Sequence, residues 1–187
     1  MDRKEKAVSR WKEAKKKGEI DSKITEFVEL LNDTESYYTT SSCSGRIVVC
    51  QTDENDKESF KFLGKWHRKV DLDEIRDSLV SDNKGKTWIK MEPFIFHICS
   101  DTVQDASRIV RTAKSIGLKS SGIFQTRKRV MFQIIGEEWL STPVGQQGEI
   151  FIDEGMLELV VNEANQKLEN NFERLEVLQE DIREILS

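Results

Sequence analysis

Apolar residues recur every three or four positions in five parts of the chain, and this spacing predicts amphipathic helices. The first of these is nearly all polar, with Val8 and Trp11 as its main apolar residues, and the second has Asp21 in position to cap its start. The last, at ~1.5 Å per residue, would be ~50 Å long as one helix, so we expect it to wrap, break or protrude. The predicted helices cover residues 3–17, 22–32, 71–80, 102–116 and 153–186.

Short runs of β-prone residues between the helices predict strands. The first two are expected to flank a tight loop of small residues at 41–45, and Pro93 is expected to separate two others because proline cannot donate to a sheet ladder. The basic stretch 126–129 reads as a hairpin tip, and Pro143 with the glycines after it indicates one long loop. The predicted strands cover 37–40, 46–50, 60–66, 88–91, 94–99, 119–124 and 130–135.

Helices that alternate irregularly with short strands predict an α+β fold with a mixed sheet. The length of 187 residues suits one domain over 1–187, with a basic N-terminal helix within 1–18 and a long acidic C-terminal helix over 153–186. A helix followed by Ser/Gly residues and a strand occurs twice, at 42–47 and 120–123, which predicts two half-repeats. No G-x-G-x-x-G, P-loop or G-x-S-x-G motif occurs among the ten glycines, so a Rossmann-type nucleotide fold is not indicated.

The composition is that of a folded, cytoplasmic protein. Hydrophobic residues make up 37% of the chain and charged residues 34%, which excludes pervasive disorder and leaves a highly charged surface. No apolar run is long enough to span a bilayer, and residues 1–6 lack the apolar core of a signal peptide. Three cysteines and two histidines at irregular spacing predict neither a disulfide framework nor a metal site.

Charge is distributed unevenly along the chain. Residues 1–20 contain eight Lys/Arg and four Asp/Glu, whereas 149–187 contain three and eleven. The stretch 106–136 has seven basic residues and no acidic residue. Such a patch suits a polyanion such as nucleic acid. The alternative is a solvated face that the acidic C-terminal segment balances in space.

The loop predicted at 41–46 is the main candidate for ligand binding. Small residues let backbone N–H groups approach a ligand, and Arg46 offers a planar fork for a phosphate or carboxylate. The alternative is a tight turn with Arg46 in a surface ion pair. Cys43 has no sequence relation to either histidine, so we do not expect it to act as a nucleophile. His97 and His67 are the candidates for proton transfer, although a histidine on a strand is more often structural.

Several segments together resemble the tRNA wybutosine-synthesizing protein 3 family. The most specific is Tyr-Thr-Thr-Ser-Ser-Cys-Ser-Gly-Arg-Ile at 38–47, and the resemblance extends in order over roughly 5–180. The other matching segments are Trp66 with His67, 92–98, Asp105 with Ala106, 121–123 and 162–167.

The resemblance implies an S-adenosylmethionine-dependent methyltransferase that methylates N4 of the wyosine-type base next to the anticodon of phenylalanine tRNA. It also implies a compact fold unlike the Rossmann methyltransferases. On this basis His97, with His67 second, is the expected catalytic residue, and the anticodon stem-loop is the expected partner. The expected donor-binding residues are Ser42, Ser44, Gly45, Arg46, Ser121 and Gly122, and the expected RNA-binding residues are Lys119, Arg127, Lys128, Arg129 and Trp66.

One function of a different class stays open at this point. Nothing in the sequence independently shows that the protein binds adenosylmethionine. The chain therefore also suits a non-catalytic RNA-binding module that recruits a modifying enzyme through its C-terminal helix.

Overall fold

The computed structural model describes residues 3–53, 56–79 and 85–186. Over these residues the chain forms five helices and seven strands, which confirms the predicted α+β class. In chain order the elements are α1 (Arg3–Lys16), α2 (Ser22–Asp33), β1 (Tyr37–Asp53), β2 (Asp56–Trp66), α3 (Leu72–Ser78), β3 (Lys86–Ser100), α4 (Val103–Ser115), β4 (Gly122–Gln125), β5 (Val130–Ile135), β6 (Leu140–Gln146), β7 (Glu149–Ile150) and α5 (Glu154–Leu186).

The sheet has the strand order β2-β1-β3-β5-β4, with β6 paired to β3 and β7 paired to β6. Every strand pair whose register is described runs antiparallel, where the sequence predicts a mixed sheet. The chain divides into two compact units, and the prediction of a single domain over 1–187 stays a prediction. The first unit is Met1–Ser44, Phe94–Glu137 and Phe172–Ser187, and the second is Gly45–Pro93 and Glu138–Asn171.

The core of the first unit forms around α2 and α4. Asp21 caps α2 as predicted, because its side chain accepts a hydrogen bond from the Lys23 amide at 3.1 Å. Thr102 caps α4 in the same way, and Gly117, with φ of +92°, ends it. Val103 is an exception to the predicted apolar face, since it is 43% exposed. The buried core includes Ile24, Phe27, Val28, Leu31, Phe94, Phe96, Ile98, Ala106, Ile109, Phe132, Leu175 and Leu178.

In the second unit, α3 follows β2, and the first half of α5 buries one apolar stripe. Asn165 on α5 holds the chain before α3, accepting from the Val70 amide at 2.9 Å and donating to its carbonyl at 2.8 Å. Of the alternatives for the last helix, breaking is wrong: Glu154–Leu186 is continuous. Its buried residues in this unit are Leu157, Val160, Val161, Ala164, Leu168 and Asn171.

The predicted tight loop at 41–45 is wrong, because β1 runs without interruption from Tyr37 to Asp53. The Ser and Cys side chains are small enough for an extended strand, and Gly45, with φ of +100°, absorbs the local irregularity that a larger residue resists. The predicted half-repeats had placed two Ser/Gly loops at equivalent positions. The first of these segments is strand and the second lies in the turn before β4, so that equivalence is also wrong.

Pro93 does not break β3, which is one strand over Lys86–Ser100. The register explains why: β3 pairs with β6 up to Met91 and with β5 from Ile95, so Pro93 lies outside both described ladders. The predicted long loop is also wrong. It contains the hairpin β6–β7, whose turn residues Gln147 and Gly148 both have positive φ, at 55° and 84°.

We expect Asp21→Ala to lower the free energy of unfolding by about 1–3 kcal/mol, measured by urea denaturation. The substitution removes the α2 cap and also the acceptor for the hydroxyl of Ser44, which is fully buried. Asp33→Ala, at the other end of α2, is the matched control and is expected to change stability by less than ~0.5 kcal/mol. Equal effects of the two substitutions would contradict this role for Asp21.

Candidate functional site

A cleft of about 650 Å³ lies in the first unit, between α1 and the start of β1. Its volume is in the range of small-molecule sites. Four of the described lining residues are cations and none is a carboxylate, so the cleft favours an anionic ligand. The lining residues are Arg3, Lys6, Ala7, Arg10, Trp11, Ile20, Tyr38, Thr39, Thr40, Ser41, Ser42 and Arg129.

The local sequence explains how the cleft is built. Arg3, Lys6 and Arg10 are spaced by three and four residues, so α1 presents them on one face. Trp11 follows on the same wall and packs against the core. From β1, the lining residues 39–42 all carry hydroxyl groups, of which the buried Thr39 hydroxyl donates to Asn32. The cleft therefore combines cations, hydroxyls and an aromatic ring.

Tyr38 and Arg129 meet at this cleft. Burial raises the pKa of the Tyr38 phenol above its usual value, the nearby Cys99 raises it further, and the Arg129 guanidinium partly opposes both. The phenol therefore stays protonated at neutral pH and can donate a hydrogen bond. Arg129 ends the predicted hairpin tip, where Lys128 has a φ of 64°.

Two buried polar groups at the cleft have no hydrogen-bond partner among the described residues. One is the indole N–H of Trp11 and the other is the amide nitrogen of Asn32. The Asn32 side-chain oxygen accepts from the backbone amide of Thr39 at 2.8 Å, so this asparagine lies directly behind the β1 wall. Buried donors are usually paired, so these two groups are exceptions among the described residues.

His97 lies behind the hydroxyl wall of the cleft. Its Nδ1 is 2.7 Å from Oγ of Ser41, and its backbone carbonyl accepts from Oγ1 of Thr40 at 3.2 Å. The Phe124 ring packs edge-on against the imidazole, with ring centroids 5.6 Å apart. These contacts fix the ring, so a proton that reaches Ser41 can pass to His97.

The residues predicted to bind the donor lie in different parts of the structure. Ser42 lines the cleft, whereas the buried Ser44 hydroxyl hydrogen-bonds Oδ2 of Asp21. In the second unit, the Gly45 carbonyl accepts from Nδ1 of His67 at 3.1 Å. Arg46 pairs through Nε with Glu92 Oε2 at 2.6 Å, which is the ion-pair alternative that the sequence left open.

Ser121 and Gly122 lie elsewhere in the first unit. The Ser121 hydroxyl is buried and accepts from the Ile135 amide at 3.1 Å, so it holds β5 beside the turn. Gly122 begins β4 opposite Gln133. Neither residue lines the cleft described above. Lys119, Arg127 and Lys128 are exposed.

Trp66, predicted to stack on RNA, has contacts within the second unit. Its indole lies directly against Gly64, where an added Cβ atom would overlap the ring, so only glycine fits beneath it. The indole also helps to lower the pKa of Glu74. These contacts support a structural role for Trp66.

Sequence reasoning did not select Arg3, Lys6 and Arg10 as site residues, and it included Ser41 only as part of the candidate loop 41–46. The signal for the first three was present, since the N-terminal helix has a local charge of +4 over residues 1–20. In the part of the chain that the structure describes, no three His, Cys, Asp or Glu side chains form a possible metal site. None of the described helices is both long and apolar enough to cross a membrane.

Comparisons with known proteins match almost the whole chain. Residues 2–184 match the family model described as methyltransferase TYW3. A protein of Thermococcus sibiricus named tRNA(Phe) 7-((3-amino-3-carboxypropyl)-4-demethylwyosine(37)-N(4))-methyltransferase is 34% identical, covering 97% of this chain and 93% of its own. A Thermococcus kodakarensis protein of the same name, numbered 1, is 33% identical, covering 98% and 94%.

Solved structures also resemble this fold. The PH1069 protein of Pyrococcus horikoshii has a TM-score of 0.88 and 35% identity, over 96% of this chain and 93% of its own. A protein of Aeropyrum pernix has a TM-score of 0.75 at 21% identity, over 88% of this chain and 98% of its own, and shows the fold alone.

The Glu74 carboxylate beside Trp66 generates a pH prediction. Two hydrogen bonds from Arg68, at 2.7 and 2.9 Å, and one from the Asp71 amide lower the pKa of Glu74 from 4.5 to about 2. A lowered folded-state pKa stabilises the protein above pH 4.5, and this stabilisation is lost as the pH falls towards 2. We expect Glu74→Gln to flatten the pH dependence of unfolding in this window, as measured by denaturant titrations at several pH values.

Arg68→Gln is the matched partner variant for this prediction. It is expected to reduce the pH dependence of the free energy of unfolding over the same pH range. The double variant should reduce it little further, because both substitutions break the same interaction. A Glu74→Gln protein that keeps the wild-type pH dependence would show that the carboxylate is not held in this way.

Proposed function

The chain belongs to the methyltransferase TYW3 family, and from this premise we propose that it methylates N4 of a wyosine-type base at position 37 of phenylalanine tRNA. We further propose S-adenosylmethionine as the methyl donor and the anticodon stem-loop as the bound region. The match over residues 2–184 carries the proposal, because it extends over both units and the whole cleft.

The cleft has groups that could hold parts of S-adenosylmethionine. At neutral pH the sulfonium and ammonium of this donor outweigh its one carboxylate, so the four lining cations suit the phosphates of the tRNA as well. The donor's carboxylate would be held by cations such as Arg10 and Arg129, its ribose by β1 hydroxyls such as Ser42, and its adenine by the side of Trp11. When bound, S-adenosylmethionine supplies an electrophilic methyl group on a sulfonium.

Ser41 and His97 are the groups placed to handle the proton. Methylation of a ring N–H requires that this proton leave, and Ser41 Oγ is the polar atom in the cleft wall that contacts an imidazole. The Ser41 oxygen would accept the base proton while its own proton passes to Nδ1 of His97. This relay requires that Nδ1 be unprotonated and that the His97 proton be on Nε2.

The tRNA backbone is proposed to bind the exposed cations of the first unit. Arg127 and Lys128 form the tip next to Arg129, and Lys119 is exposed on the connection before β4. Each phosphate contact of this kind contributes affinity that decreases with salt. The proposed reaction does not use seven of the residues predicted for the site, because the contacts described for them are structural. They are Ser44, Gly45, Arg46, His67, Ser121, Gly122 and Trp66.

Donor binding is expected to separate this function from the RNA-binding alternative. Calorimetry should show S-adenosylmethionine binding to the free protein, and Arg10→Gln should weaken it by roughly tenfold because one charge-assisted contact is lost. Lys12→Gln, on the same helix but outside the cleft lining, is the matched control. Binding of tRNA without donor binding or methyl transfer would support the non-catalytic module instead.

The relay predicts that Ser41→Ala and His97→Ala each slow single-turnover methyl transfer by about 10²-fold, the usual range for loss of a general base. The double variant should be little slower than either single variant, because both act in one proton transfer. Phe124→Leu is the positioning control and should reduce the rate less than His97→Ala. Wild-type rates in Ser41→Ala would exclude the relay.

A further inference from the structure

Two phenylalanine rings are exposed on β2 in the second unit. Phe60 is 46% exposed and Phe62 is 40% exposed, and their rings meet edge-to-face with centroids 4.8 Å apart. Large aromatic side chains usually dominate core energetics, so a solvent-facing pair on one strand suggests a binding surface.

Two cations lie close to the Phe62 ring. The Arg46 guanidinium lies 5.1 Å from the Phe62 ring centroid and the Lys65 ammonium 5.8 Å from it. The ion pair with Glu92 fixes the Arg46 side chain in this position. A half-buried ring with a cation beside it occurs on β3, where Lys90 lies 5.3 Å from the Trp88 ring centroid and the Trp88 indole donates to Thr52 Oγ1 at 3.2 Å.

The chemistry of this surface fits unpaired nucleotides. Bases stack on exposed aromatic rings whatever their sequence, and neighbouring Arg and Lys side chains neutralise the phosphates between them. An apolar protein partner would have to bury the Lys65 ammonium and the Arg46–Glu92 ion pair, which is costly. Charge complementarity therefore favours RNA as the occupant.

We propose that Phe60, Phe62, Arg46 and Lys65 form a stacking surface for unpaired nucleotides of the tRNA anticodon loop, with Trp88 and Lys90 as a second platform. This inference rests on the proposed function for the identity of the RNA. It assigns Arg46 to RNA rather than to the methyl donor. It also adds a site outside the first-unit cleft, on aromatic residues that the sequence did not single out.

The experiment measures binding of the unmodified anticodon stem-loop of phenylalanine tRNA by fluorescence anisotropy. Phe60→Leu and Phe62→Leu keep an apolar side chain but remove the flat ring, and each is expected to weaken binding by about tenfold. Phe62→Trp should retain binding. The matched control is Leu159→Ala, which changes an apolar side chain that is 61% exposed on α5. This variant should bind the stem-loop as tightly as the wild-type protein does.

A second measurement does not depend on the folding of any variant. Loop positions carrying 2-aminopurine should lose fluorescence when the wild-type protein binds, because stacking on an aromatic ring quenches this base.

Lys65→Gln should lower the slope of log affinity against log salt by about 0.7, the value for one contact to a single strand.

Unchanged stem-loop affinity in both Leu variants, or no quenching at any loop position, would overturn the stacking surface. Unchanged RNA affinity together with altered self-association of the Leu variants would assign the rings to a protein contact instead. A wild-type protein that binds the stem-loop through these rings but transfers no methyl group would contradict the proposed function and leave the stacking surface standing.

Discussion

The extended backbone of residues 37–53 determines how the candidate groups are distributed. A loop of small residues can turn several side chains and amides towards one ligand, whereas a strand spreads them along its length and alternates their faces. Because the segment is a strand, its serine hydroxyls meet different partners: Ser41 contacts His97, Ser42 lies in the cleft lining and Ser44 is buried against Asp21. A single motif in the sequence therefore serves several separate purposes in the structure.

The elements that the sequence predicted well are those with a complete local signal. The second helix has its cap and four buried apolar residues at helical spacing, and the fourth has a cap and a terminating glycine. The elements it missed depend on pairing partners that no local pattern shows. Pro93 is tolerated because β3 changes partners there, and Pro143 occupies a β6 position at a bulge opposite Trp88.

The same contrast between local signals and tertiary partners applies to the candidate site. His97 and Arg129 were selected by residue type and charge. In the structure Arg129 lines the cleft, and His97 contacts the lining residue Ser41 from behind. Ser121 was selected by analogy between two Ser/Gly segments, and its hydroxyl instead accepts from the β5 backbone. Residue types alone could not show that α1 packs beside β1, so the charge of the N-terminal helix had no assigned target.

The first helix, α1, has little buried apolar surface. None of its residues is buried, and Trp11 is its described apolar anchor to the core of the first unit. Elements with so little buried apolar surface open locally at a small cost in free energy, and their amides exchange early with solvent. Since α1 carries three of the four cleft cations, a ligand held there also orders the helix. Closing any local opening of α1 would add to the entropy cost and the heat-capacity change of ligand binding.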